Sequence, residues 1–203
     1  MTPPKTLREW AGLQPPVRLD PKKTAVVLID FQEEYFGGNV PIPDGAAAVR
    51  NGAALAAWAD RVGAAVVHVH HVAASEKSPL FTPGTPRVAP HPLVQPAAHH
   101  HRIEKRMPSA FVGTELDAWL KARGIETLVV CGLMTHMCVD STTRDAVAHG
   151  YRVIVADDAC ATRDLPSATG EAVPHAAVHR AVLAGLGDRF ADVMPTGRIT
   201  ALA

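Results

Sequence analysis

ETLVVCGLMTHMCVDSTTRDAVAHGYRVIVAD, residues 126–157, is the stretch that decides the fold. It opens as an apolar, β-branched run that ends at Gly132, and five residues of turn follow. A helical pattern then runs from near Cys138 to about His149, stops at Gly150, and gives way to a second apolar run, YRVIVAD at 151–157. A strand, a helix and a strand in about 30 residues make a right-handed βαβ unit with parallel strands.

The same grammar recurs outward from this unit. AVVLID at 25–30 is an apolar run ending in an acid, which reads as a buried parallel strand, and AAVVHVHH at 64–71 reads as a second. Between them, the Ala-rich stretch from about Asp44 to Arg61 reads as a helix, with Asp44 as N-cap and Gly63 as stop. A helix ending at Gly124 precedes the strand 126–132, a last helix spans about His175 to Leu186, and ADVM at 191–194 closes as a short strand. IEKR at 103–106 adds a further short strand. The alternation predicts one α/β domain over 1–203, a three-layer Rossmann-like arrangement of a mostly parallel sheet flanked by helices. Residues 1–20 read as a surface arm. Residues 72–108 break the pattern: seven of the 17 prolines fall between Pro79 and Pro108. That is too long for a simple connection. Leu80, Phe81, Val88, Leu93 and Val94 offer anchors, so it reads as an ordered excursion over one end of the sheet, building part of a pocket or a subunit contact.

Composition narrows the partners. Twenty basic residues balance twenty acidic ones at a pI near 7.2, which gives no electrostatic case for nucleic acid. No apolar stretch reaches the ~20 residues of a membrane helix, and the N-terminus has no apolar signal core. Three cysteines, 131, 138 and 160, are an odd number at spacings that fit neither a disulfide framework nor a zinc ribbon. A cytoplasmic protein acting on a small molecule is the expectation.

Ligands of an open parallel sheet bind outside the carboxyl ends of its strands. Asp30, Lys105 and Cys138 all fall where such ends belong. A thiol at a helix N-terminus meets free backbone N–H groups and the positive end of the dipole, which favour the thiolate and can receive an oxyanion. Position alone leaves open whether Cys138 is reactive or merely a small buried residue. Taken singly, Asp30 reads as a general base or a loop cap, and Lys105 as a charge partner or a solvated surface lysine.

LIDFQEEYF, EKRMPSAFVGTEL and GLMTHMCVDSTTRDAVAHGY together resemble the three signature segments of the isochorismatase-like cysteine hydrolases. That superfamily includes nicotinamidases, N-carbamoylsarcosine and ureidoacrylate amidohydrolases, and isochorismatase itself. The resemblance covers about residues 20–195, in the same order. It implies a six-stranded parallel sheet and a catalytic set of Asp30, Lys105 and Cys138. It further implies a cis peptide at Leu133–Met134 and an oxyanion hole from the backbone amides of Met134 and Cys138. Phe31, Gln32, Tyr35, Phe36, His71, Phe111, Thr135 and His136 flank these positions and are expected substrate contacts.

Nicotinamidases of this superfamily carry an Asp-x-His…His metal site after the second strand. The corresponding stretch here, HVHHVAASEKS at 68–78, has no Asp-x-His, so neither a metal nor another cofactor is expected. His99, His100 and His101 read as solvated, and Cys131 and Cys160 as packing. The implied activity is hydrolysis of an amide, ureide or lactam-like C–N bond through a Cys138 thioester. An isochorismatase-type vinyl ether hydrolase needs no cysteine nucleophile, and a non-enzymatic binding protein on the same scaffold needs none of the set. The resemblance also implies a homo-oligomer, dimer or tetramer.

Overall fold

The computed structural model describes residues 4–203, and residues 1–3 of the expected arm lie outside the described residues. The arm carries α1 (Leu7–Trp10), a single turn closed by a Thr6/Glu9 capping box. It is tied to the last long helix by the Leu7 N–H donated to Asp188, and to the short strand after that helix by an Arg8–Asp192 ion pair of 2.9 Å.

Strand β1 (Thr24–Ile29) is buried at every position, as its unbroken apolar run requires of a strand covered on both faces. Helix α2 (Gly45–Val62) returns to the start of β2 (Ala65–His71) and ends at Gly63 in the left-handed region, φ 77°. Asp44 makes no capping hydrogen bond to α2; its carboxylate instead lies 3.5 Å from His175. Next come β3 (His101–Lys105), α3 (Leu116–Ala122), β4 (Thr127–Leu133) and α4 (Asp140–Ala148). The chain then forms β5 (Arg152–Ala161), which runs four residues beyond the apolar stretch 151–157. A small hairpin, β6 (Leu165–Pro166) and β7 (Ala172–Val173), had no signature in the apolar pattern. Helix α5 (His175–Arg189), β8 (Asp192–Met194) and α6 (Thr196–Thr200) complete the chain. Among the described residues no helix is long and apolar enough to cross a membrane.

The main sheet has six strands in the order β3-β2-β1-β4-β5-β8, every neighbouring pair parallel. Chain order runs outward to β3 on one side of β1 and to β8 on the other. The direction of winding therefore reverses between β1 and β4, and open α/β sheets bind ligands beyond the carboxyl ends of the strands at such a point. Gly132 holds these two strands together near that end. A Cβ there would lie 2.1 Å from the Ile29 carbonyl oxygen, and its φ of 137° is one side chains rarely adopt.

Because β3 begins at His101, the excursion is the segment 72–100 rather than 72–108. It is ordered by hydrogen bonds to the loop after β1: Glu33 N–H to the Ala89 carbonyl, His91 N–H to the Phe31 carbonyl, and Asn39 Nδ2 to the Pro79 carbonyl. Phe81 and Val94 are buried as expected of anchors, and Leu80 and Val88 pack against the core. Leu93 is 53% exposed and anchors nothing.

Candidate active site

Asp30 follows β1 with φ 52°, a left-handed conformation uncommon outside glycine that costs about 1 kcal/mol or more. Its N–H bonds to the Val69 carbonyl at 2.9 Å, and its carbonyl accepts from the Gln32 N–H at 2.8 Å. These bonds hold the turn from which the carboxylate meets Lys105. Lys105 ends β3, and its ammonium reaches Asp30 Oδ2 at 2.7 Å with both side chains fully buried. The same Nζ donates to Cys138 Sγ at 3.3 Å and faces Nδ1 of His71 at 3.4 Å. Three residues 33 to 108 positions apart in the chain thus meet at one ammonium group.

Cys138 does not sit at a simple helix start. Residues Thr135–Val139 form one π turn that runs directly into α4, with Val139 N–H bonding to the Met134 carbonyl at 3.3 Å. π turns inside helices are frequent at functional sites because the extra residue turns a side chain out of the regular row. The Leu133–Met134 peptide is cis. The sequence-based expectation of a stabilised thiolate fails in the resting protein. Burial, then the facing Asp30 carboxylate, push the thiol pKa well above its ordinary value, and the Lys105 charge only partly opposes them. Burial pulls the Lys105 ammonium the other way, but its Asp30 and Cys138 partners outweigh that and its net direction is up. The resting site is therefore a charged Asp30–Lys105 pair beside a neutral thiol. Iodoacetamide is expected to alkylate Cys138 more slowly at pH 8 than a free cysteine, with the rate still rising above pH 9. A rate that levels off below pH 8 would contradict a protonated resting thiol.

His71 is half-buried, and burial and the Lys105 charge lower its pKa, so it is neutral and offers Nδ1 to the ammonium. Phe81 of the excursion sets its ring edge-on to both His71 and Tyr35, at centroid distances of 5.0 and 5.1 Å. Tyr35, Phe81 and His71 thus form one apolar wall beside Lys105. A buried carboxylate supports it: Glu34 accepts from Phe81 N–H at 3.0 Å and Asn39 N–H at 2.6 Å. Sequence reasoning missed Glu34 and named Phe81 only as an anchor of the excursion. Nothing in the string separates Glu34 from Glu33, whose side chain is left nearer solvent.

The other expected contacts divide. Thr135 is buried, with Oγ1 2.8 Å from His179 Nδ1, and His136 pairs through Nδ1 with Thr162 Oγ1, so both brace the turn that carries Cys138. Phe36 lies against His91 at a ring distance of 4.3 Å, further along the excursion. Gln32 is completely buried and clamps backbone: Nε2 donates to the His71 and Val88 carbonyls, and Oε1 accepts from His71 N–H. Phe31 packs against Gly52 of α2, where a Cβ would come within 2.7 Å of the ring. Phe111 stacks on His149 and Tyr151, which sit between α4 and the first residue of β5, at the opposite end of the sheet from Lys105.

The family model for the Isochorismatase domain matches residues 24–197. The chain is 39% identical over 174 residues to an uncharacterised isochorismatase family protein, YddQ, of Bacillus subtilis, covering 85% of this chain and 96% of that protein. It is 34% identical over 173 residues to a streptothricin hydrolase of Streptomyces noursei, spanning 84% of this chain but only 62% of that relative. The crystal structure of an isochorismatase from Pseudomonas putida superposes with a TM-score of 0.89 at 35% identity, over 96% of this chain and 98% of that one. With its parallel six-stranded sheet, the match to the family model over residues 24–197 and these relatives, the chain belongs to the isochorismatase family and is a hydrolase.

Proposed function

We propose that this hydrolase cleaves a C–N bond of a small molecule, an amide, ureide or lactam-like group, through a thioester on Cys138. The observation that carries the reading is the buried Lys105 ammonium in contact with both the Asp30 carboxylate and the Cys138 sulfur. A carboxylate, a cation and a thiol in mutual reach supply a base, a charge stabiliser and a nucleophile. Among the described residues, Asp30 Oδ1 has no hydrogen-bond partner, which leaves a buried acceptor free for a proton.

In this mechanism, substrate entry excludes water and Asp30 takes the thiol proton. The thiolate attacks the carbonyl carbon, and the oxyanion rests on the backbone amides of Met134 and Cys138. Collapse breaks the C–N bond, and the proton on Asp30 goes to the leaving nitrogen. A water then gives its proton to Asp30 and attacks the thioester. The acid product leaves, and the proton returns from Asp30 to the sulfur.

A vinyl ether hydrolase would use Asp30 but would have no work for a thiol held against Lys105. A binding protein would have no reason to carry a buried charged pair beside that thiol, since such a pair costs desolvation. The assembly we propose is a homo-oligomer, a dimer or tetramer, which light scattering of the purified chain would measure.

The test is a screen of small amides, ureides and lactams, followed by ammonia release and by mass spectrometry of ring-opened products, with wild type and Cys138→Ala in parallel. Turnover is expected only with wild type and should survive dialysis against a chelator. Turnover of vinyl ethers alone, or loss of all turnover on chelation, would overturn the reading.

A further inference from the structure

The far end of the molecule holds a group of side chains that the hydrolytic reading does not use. Asp60 lies in the last turn of α2, and His99 and His100 end the excursion just before β3. Nε2 of His99 is 2.9 Å and Nε2 of His100 is 3.0 Å from the same oxygen, Asp60 Oδ1. All three atoms lie within 4.8 Å of one another. The expectation of solvated histidines holds for His99, whose side chain is 69% exposed, and fails for His100, whose side chain is only 5% exposed. His101 is stacked on Trp119, at a centroid distance of 4.3 Å.

We propose that Asp60, His99 and His100 form a binding site for one divalent transition-metal ion, Zn²⁺ or Ni²⁺ in class, which staples the end of the excursion to α2. Two imidazoles and one carboxylate suit borderline metals rather than Mg²⁺ or Ca²⁺. The spacing also fits. Ligand atoms about 2.1 Å from an ion lie about 3.0 Å apart at right angles and about 3.4 Å apart in a tetrahedron, so the two nitrogen–oxygen pairs, now at hydrogen-bond distance, need spread by at most a few tenths of an ångström. The three ligands would occupy one face of the ion and leave its other positions to water.

Neighbouring groups hold His100 in place. The buried His68 of β2 stacks over His100 and places Nε2 3.0 Å from His100 Nδ1. A ligating histidine characteristically donates its other ring N–H to such a partner. The Ala97 N–H also points at that Nδ1, from 3.2 Å. Metal on Nε2 puts the ring proton of His100 on Nδ1, which requires the facing His68 Nε2 to be the unprotonated ring nitrogen and the Ala97 amide to turn aside. The site is separate from Cys138: β3 rises about 3.3 Å per residue, so His101 and Lys105 are roughly 13 Å apart.

The full-length chain, dialysed against a chelator, is titrated with Zn²⁺, Ni²⁺ and Mg²⁺ and followed by calorimetry and thermal unfolding. Wild type is compared with His99→Ala and Asp60→Asn, both at exposed side chains that the core does not need. One Zn²⁺ or Ni²⁺ per chain is expected, lost or at least tenfold weaker in either variant, with no response to Mg²⁺. At a hundredfold excess over Kd, the unfolding temperature should rise by about 5–10 °C. Binding that persists unchanged in both variants, or no binding by wild type at micromolar metal, would overturn the site. Neither result touches the Cys138 reading, which is tested on chelated protein.

Discussion

Cys138→Ala is expected to lower turnover of any amide-type substrate by on the order of 10⁴-fold or more, with the fold intact. The size follows from the mechanism: without the sulfur no thioester forms, and Asp30 and Lys105 are left to assist a water that must find its own place. The fold should survive because the change removes one small buried atom and leaves the Asp30–Lys105 pair closed. A stability change within about 1 kcal/mol is expected from urea unfolding. Substrate should still bind the variant, so calorimetry ought to give a Kd close to that of wild type. Residual activity within tenfold of wild type would remove Cys138 from the chemistry and return the vinyl ether reading.

Lys105→Met is expected to lose activity to a similar extent and, unlike Cys138→Ala, to destabilise the chain by about 3–5 kcal/mol. Methionine keeps much of the volume, so the loss isolates charge: the fully buried Asp30 carboxylate is left without its cation. Adding Asp30→Asn to Lys105→Met should recover most of that stability and none of the activity. The double-mutant cycle measures the coupling directly. The pH dependence has a defined sign. The net direction of the Lys105 pKa is up, so its contribution is complete below the ordinary lysine value of 10.5 and is lost only as pH rises beyond it. Equal stability of wild type and Lys105→Met at pH 7 would show that the pair contributes nothing net.

Much of this molecule was legible in one dimension because parallel strands buried on both faces must be apolar along their length. AVVLI, AVVHVHH, TLVVCGL and RVIVA therefore announce β1, β2, β4 and β5, and the glycines at 63, 124 and 150 announce where the helices before β2, β4 and β5 stop. Asp30, Lys105 and Cys138 were legible for the same reason: each sits where an apolar strand or its turn ends, next to a matching signature segment. The fate of the flanking aromatics was not. Phe31 and Tyr35 lie four positions apart in one loop, yet one fills a gap over Gly52 and the other sets its ring against Phe81 of the excursion. That outcome depends on which element is packed opposite, a long-range fact with no local signature.

Cys138, at the heart of the stretch 126–157, shows where the division falls. The sequence by itself determined that a thiol follows β4 at the carboxyl end of a parallel sheet, because strand and helix periodicities are local properties of the chain. Only the tertiary structure decided that the thiol rests protonated, because its titration depends on burial and on an Asp30 carboxylate 108 residues away. The same holds for Glu34, His100 and the excursion's path: each is fixed by partners brought close in space, and electrostatics and packing act through space rather than along the chain.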